Sequence, residues 1–124
     1  MKIVVKVIDG SFSVCKVSDY SLVNPEKPFC FIGTTPDEKS LVCRSSDVPE
    51  NTIERDDGWS LFMIEGVLDF SLIGILSAIS SILASASIGI FAISTFNTDY
   101  ILVKEENREK AIKALVSGGF EVTE

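Results

Sequence analysis

The chain has 124 residues, 46% of them hydrophobic, with 18 acidic against 11 basic side chains and a net charge of −7. That length makes one ordinary domain or two very small ones sharing a core. Without a basic patch, the acidic balance argues against nucleic acid and anionic membrane surfaces as partners, and the absence of histidine removes the commonest general base and metal ligand.

From the N-terminus, Lys2–Ile8 and Phe12–Val17 read as strands joined at Asp9-Gly10, a hairpin signal. Asp19–Pro28 is a polar connection. Phe29–Thr35 and Leu41–Arg44 read as two further strands with Pro36-Asp37-Glu38-Lys39 between them. Ser45–Gly58 carries Pro49 and five acids and reads as a linker. The three cysteines, Cys15, Cys30 and Cys43, match no zinc or redox spacing. They read as reduced thiols, buried as small apolar residues in strands, and point to a cytoplasmic protein.

Trp59–Gly66 reads as a strand of β-formers ending at glycine. The 29 residues between Asp69 and Asp99 carry no charge, so the stretch must be tested as a membrane span. Seven serines interrupt it. Ser77, Ser81 and Ser85 recur every four residues, with Ile75, Ile79, Ile82, Leu83 and Ala86 on the other side. That is an amphipathic helix over about 73–86 in a soluble chain, closed by Ser87 and Gly89. Its uncharged serine face suits close approach by the N-terminal half or a second subunit, although a solvated Ser-rich face has the same pattern.

Ile90–Ser94 and Tyr100–Lys104 read as strands, with the polar knot Ser94-Thr95-Phe96-Asn97-Thr98-Asp99 turning between them. A helix opens with the acids at Glu105 and Glu106, presents Ile112, Leu115 and Val116 on one side, and stops at Gly118-Gly119. Phe120-Glu121-Val122 is a last short strand. From Trp59 onward the order is β-α-β-β-α-β, the ferredoxin-like α+β plan. At an offset of 60, Phe31 matches Phe91, Thr35 matches Thr95 and Thr34 falls on Ser94. Leu41–Arg44 likewise falls on Ile101–Lys104, which suggests a tandem repeat whose first copy has a lost or shortened helix.

Glu65-Gly66, Asp69-Phe70, Gly74-Ile75-Leu76 and Ser94-Thr95 followed by Thr98-Asp99-Tyr100 resemble the ACT domain. The relatives they point to are small bacterial tandem-ACT proteins related to the regulatory ends of aspartokinases and to cytosolic arginine sensors. The resemblance covers residues 59–120. It implies an ACT domain over 58–124 and, more loosely through "TTPDEKSLVC", a degenerate ACT-like unit over 1–57. It also implies a regulatory, ligand-binding fold, commonly for amino acids, with the ligand between paired ACT units. The residues facing such a ligand are Leu72, Ile73, Gly74, Ile75, Ser94, Thr95 and Asp99. With no kinase attached, the signal would pass to a separate protein partner or has been lost, and ACT-type pairing implies a homodimer.

The chemistry of these residues is compatible. A helix N-terminus suits an α-carboxylate, and Gly74 lets a ligand approach its backbone. Asp99 can accept from an ammonium or guanidinium, and Ser94, Thr95 and Thr98 offer hydroxyls. The same residue types are also ordinary turn formers. No catalytic residue, metal site or cofactor is expected: the sequence has no phosphate-binding loop, and no Ser-His or Cys-His pairing can exist. The leading reading is a non-catalytic sensor of an amino acid or similar small zwitterion. The alternative is a ligand-independent dimerisation or interaction module that regulates a partner.

Overall fold

The computed structural model describes residues 3–65 and 74–124. In chain order the elements are β1 (Val4–Val17), β2 (Phe31–Thr34), β3 (Lys39–Arg44), β4 (Thr52–Ile64), α1 (Ile75–Ser85), β5 (Phe91–Ser94), β6 (Asp99–Lys104), α2 (Arg108–Ser117) and β7 (Glu121–Thr123). Two compact units emerge: Met1–Asp9 with Ser60–Glu124, and Gly10–Trp59. The long strands β1 and β4 each contribute one half to either unit.

The unit containing the C-terminus has the ferredoxin-like arrangement of two helices and a largely antiparallel sheet. Its strand order is β7-β1-β4-β6-β5, and β7 runs parallel to β1 with Val5 opposite Val122. The core joins Val5, Val7, Phe62, Ile64, Ile101 and Val103 from the strands to Ile79, Leu83, Ala111 and Leu115 from the helices. Each fully buried aliphatic side chain contributes about 1.5–3 kcal/mol. α1 has no charged residue to support it, so packing of Ile79 and Leu83, flanked by Ile75, Ile82 and Ala86, holds it in place. Ser77, Ser81 and Ser85 are exposed, as the periodicity required.

α1 ends in a Schellman motif. The Ile88 N–H donates to Leu83 O at 2.9 Å and the Ser87 N–H to Ala84 O at 2.9 Å, with Ile88 and Leu83 meeting in the core. The residue that must adopt the left-handed conformation is Ser87, at φ 62°. Gly119 holds the same position after α2.

The other unit orders its strands β2-β3-β1-β4. No α-helix occurs among its residues. Instead the connection between β1 and β2 lays Tyr20, Val23 and Cys30 against Cys15, Val17, Leu41 and Cys43. The Tyr20 hydroxyl lies 3.1 Å from the carbonyls of Gly33 and Ser40 and accepts from Thr34 Oγ1. The Arg44 guanidinium covers the rings of Phe12 and Phe29, 5.1 and 5.7 Å from their centroids.

Three sequence expectations change. Asp9-Gly10 is no hairpin: β1 runs straight through it, because the two arms find different partners. Val4–Lys6 pairs with β7 and Phe12–Lys16 with β3. Glycine suits that position because its φ of 97° lies in the left-handed region that side chains disfavour, and the Arg44 guanidinium packs where a Cβ would stand. Ser45–Gly58 is not all linker, since β4 starts at Thr52. One of its acids is structural: Ser13 Oγ, fully buried, donates to Asp57 Oδ1 at 2.5 Å while Ser45 Oγ donates to Ser13 at 2.7 Å. Of the cysteines, Cys15 and Cys43 are buried in strands, but Cys30 is half-buried just outside β2.

The hairpins compared at offset 60 share one register. Phe31 faces Val42 and Thr34 faces Lys39; Phe91 faces Leu102 and Ser94 faces Asp99. Thr35 N–H donates to Glu38 O at 3.0 Å, as Thr95 N–H does to Thr98 O at 2.9 Å. Each hairpin then enters a 3-10 turn, Ser45–Asp47 or Glu105–Asn107, from nearly identical dihedrals.

The α1 terminus yields a prediction. Ser87→Gly removes the cost of a left-handed non-glycine residue, about 1–2 kcal/mol. The urea midpoint rises with an unchanged m value; a fall in the midpoint contradicts the motif.

Candidate functional site

The β5–β6 turn closes on itself. The Thr95 N–H and Oγ1 both donate to Thr98 O, each at 2.9 Å. Thr98 is 7% exposed, and its hydroxyl donates to Ile64 O at 2.7 Å, the last residue of β4. Both threonine hydroxyls are therefore engaged with the chain. The buried Thr98 hydroxyl, bonded to a strand-end carbonyl, holds the turn in place.

Ser94 and Asp99 are different. They face one another across the ladder, two pairs beyond Ala92 and Ile101, so they continue the sheet face whose Ile101 and Val103 lie in the core. Ser94 is exposed and Asp99 half-exposed. A hydroxyl and a carboxylate thus stand side by side where that face reaches solvent.

α1 begins at Ile75 after Gly74, whose φ of 87° disfavours any side chain and whose carbonyl accepts from Ala78 N–H at 2.8 Å. The helix has neither a side-chain cap nor an acidic residue in its first turn. Its leading N–H groups and partial positive charge suit a carboxylate. Ile75 packs against the core, which makes it a support for the helix start rather than a polar contact. Leu72 and Ile73 lie outside the described residues. The structure thus gathers Ser94, Thr95, Thr98 and Asp99 in one turn and places Gly74 and Ile75 at the α1 N-terminus.

Two features were not singled out from the sequence. Phe96, at the apex of the turn, is 86% exposed; the signal was an aromatic side chain among five turn formers. The offset of 60 also places Lys39 where Asp99 stands, so the equivalent turns carry opposite charges. Elsewhere, the Cys43 thiol donates to Cys15 sulfur; this bond lowers the Cys15 pKa and, with burial, holds that of Cys43 far above its ordinary value. Among the described residues no three His, Cys, Asp or Glu side chains gather as a metal site.

Thr98→Val tests the turn's anchor. It keeps the shape but leaves Ile64 O without its hydroxyl donor, at a cost of about 1–3 kcal/mol read from the urea midpoint, and Thr98→Ser restores most of the loss. Unchanged stability of the valine variant contradicts the anchoring role.

A family model of the ACT domain matches residues 54–117. No curated protein matches the chain. A crystallised protein from Agobacterium tumefaciens is 31% identical, with a TM-score of 0.87 over 98% of this chain and 92% of that one. A protein of unknown function from Vibrio cholerae, described as a possible transport protein, is 20% identical with a TM-score of 0.72, covering 95% and 91%. The ligand-free regulatory subunit of aspartate kinase from Thermus thermophilus is 11% identical with a TM-score of 0.60, covering 92% and 96%. The latter two likenesses are of fold alone.

Proposed function

The chain belongs to the ACT domain family, whose domains serve as regulatory, ligand-binding modules, and from that premise we propose that it is a non-catalytic sensor of a free amino acid or similar small zwitterion. The observation that carries this reading is the Ser94–Asp99 pair, held at the end of the ladder by a turn whose threonine hydroxyls are already engaged. Asp99 accepts from the ligand's ammonium or guanidinium, Ser94 supplies a hydroxyl, and the uncapped start of α1 attracts the carboxylate.

The matching hairpin registers support a degenerate ACT-like unit over 1–57 ahead of an ACT domain over 58–124, with Met1–Asp9 completing the latter's compact unit. The exposed Ser81 and Ser85, beside Ile82 and Ala86 in a shallow groove with Ala114 and Gly118, favour a homodimer. No helix among the described residues is long and apolar enough to cross a membrane. The reading is of a cytoplasmic protein that relays ligand occupancy to a separate protein.

Exposed Phe96 favours a second reading, an interaction module whose turn docks on a partner without any ligand. A thermal-shift screen against the proteinogenic amino acids separates the two. A ligand at about a hundred times its Kd stabilises the fold by roughly 2.7 kcal/mol, a clear rise in Tm. Asp99→Asn leaves the unliganded Tm nearly unchanged, since Asn also suits turns. It weakens binding by about ten- to a hundredfold, the worth of one charge-assisted hydrogen bond. A confirmed ligand that binds Asp99→Asn with unchanged affinity removes Asp99 from the site, and a screen with no hit favours the ligand-independent module.

A further inference from the structure

The helix-free unit contains a cavity of its own, of about 80 Å³. Leu41 and Cys43 on β3 form part of its wall, and Val23 and Cys30 enclose it from the connection that stands where a first helix is missing. A single water needs about 10–15 Å³ by the same measure, so this space admits a molecule of a few non-hydrogen atoms.

Lys27 and Asp47 also line it. The Lys27 ammonium lies 3.6 Å from Asp47 Oδ1, with the two side chains 54% and 25% exposed. That separation exceeds a hydrogen bond, and an exposed pair of this kind is worth little, so a guest can part it at small cost. Burial, with the Asp47 charge, pushes the Cys30 thiol up, and Cys43 is pushed up further. Both thiols therefore stay protonated near neutral pH, and Lys27 and Asp47 carry the formal charges of the lining. Together they give one cation and one anion beside a small, mainly apolar space.

We propose that this cavity is a second ligand site, taking a zwitterion of glycine or alanine size. The ligand's carboxylate meets Lys27 Nζ, its ammonium meets Asp47 Oδ1, and its short aliphatic part points toward Leu41 and Cys43. A longer side chain does not fit. The site shares no residue with the β5–β6 turn and does not depend on that turn binding anything.

Cys30 reports on the site directly, because it lines the cavity and is half-buried while Cys15 and Cys43 are buried. The full chain is alkylated with iodoacetamide, and modification of Cys30 is followed by peptide mass mapping. The probes are glycine, L-alanine, L-leucine, acetate and methylammonium. Glycine or L-alanine slows Cys30 alkylation by about tenfold at saturation. L-Leucine, too large, and acetate and methylammonium, each carrying one charge only, leave the rate unchanged. Lys27→Met and Asp47→Asn each raise the protecting concentration by about tenfold or more, the effect of losing one charged contact. Their unliganded Tm stays near that of the parent, because both side chains are partly exposed. Asp99→Asn is protected like the parent. The proposal is overturned if neither glycine nor L-alanine protects, if acetate or methylammonium alone protects as well, if Asp47→Asn keeps full protection, or if Asp99→Asn abolishes it.

Discussion

Thr98 turns its hydroxyl inward and donates it to Ile64 O, and the candidate site depends on that bond. Ile64 ends the strand that, with Phe62, fills the core beneath both helices. A hydrogen bond at this depth adds about 0.5–1.5 kcal/mol when made, but leaving the carbonyl bare costs more, so the turn stays where the strand end fixes it. Thr95 then closes the turn with two bonds to Thr98 O. The hydroxyls of Thr95 and Thr98 thereby both donate to the chain. Ser94 and Asp99 remain, paired by register rather than by chance proximity.

A second consequence concerns specificity. At the matching turn of the first hairpin, Thr35 Oγ1 instead accepts the N–H groups of Asp37 and Glu38, each at 3.2 Å, and Lys39 replaces Asp99. The backbone framework is kept while the charge at its end is reversed. In that helix-free unit Tyr20, Val23 and Cys30 cover the core, and irregular chain covers a sheet less completely than a helix does. A cavity lies beside Cys43.

The C-terminal half was largely legible because its signals are local. The four-residue serine repeat and the intervening isoleucines fix α1 wherever it packs, and Gly118-Gly119 stops α2 by backbone conformation alone. The N-terminal half depends on partners distant in sequence. Asp9-Gly10 is a good hairpin signal, and only the choice of β7 and β3 as partners makes it an interior point of β1. The residues Ile53–Asp57 look like linker because all five are exposed; their strand character comes from ladder pairing that composition does not show. At the site, Asp99 was legible as the lone charge of its stretch. The inward hydroxyl of Thr98 was not, since threonine in a turn has the same pattern whether it serves the backbone or a ligand. Nor was the Lys27–Asp47 pair, whose members come from a connection and a 3-10 turn twenty residues apart.

The most direct test of ligand binding at the β5–β6 turn is an amide proton–nitrogen NMR titration of the isotope-labelled chain with each amino acid in turn. Binding at this site gives saturable shifts of the Ser94, Thr95 and Asp99 amides together with those of Gly74 and Ile75 at the start of α1. Shifts restricted to other parts of the chain, or none with any amino acid, would contradict it.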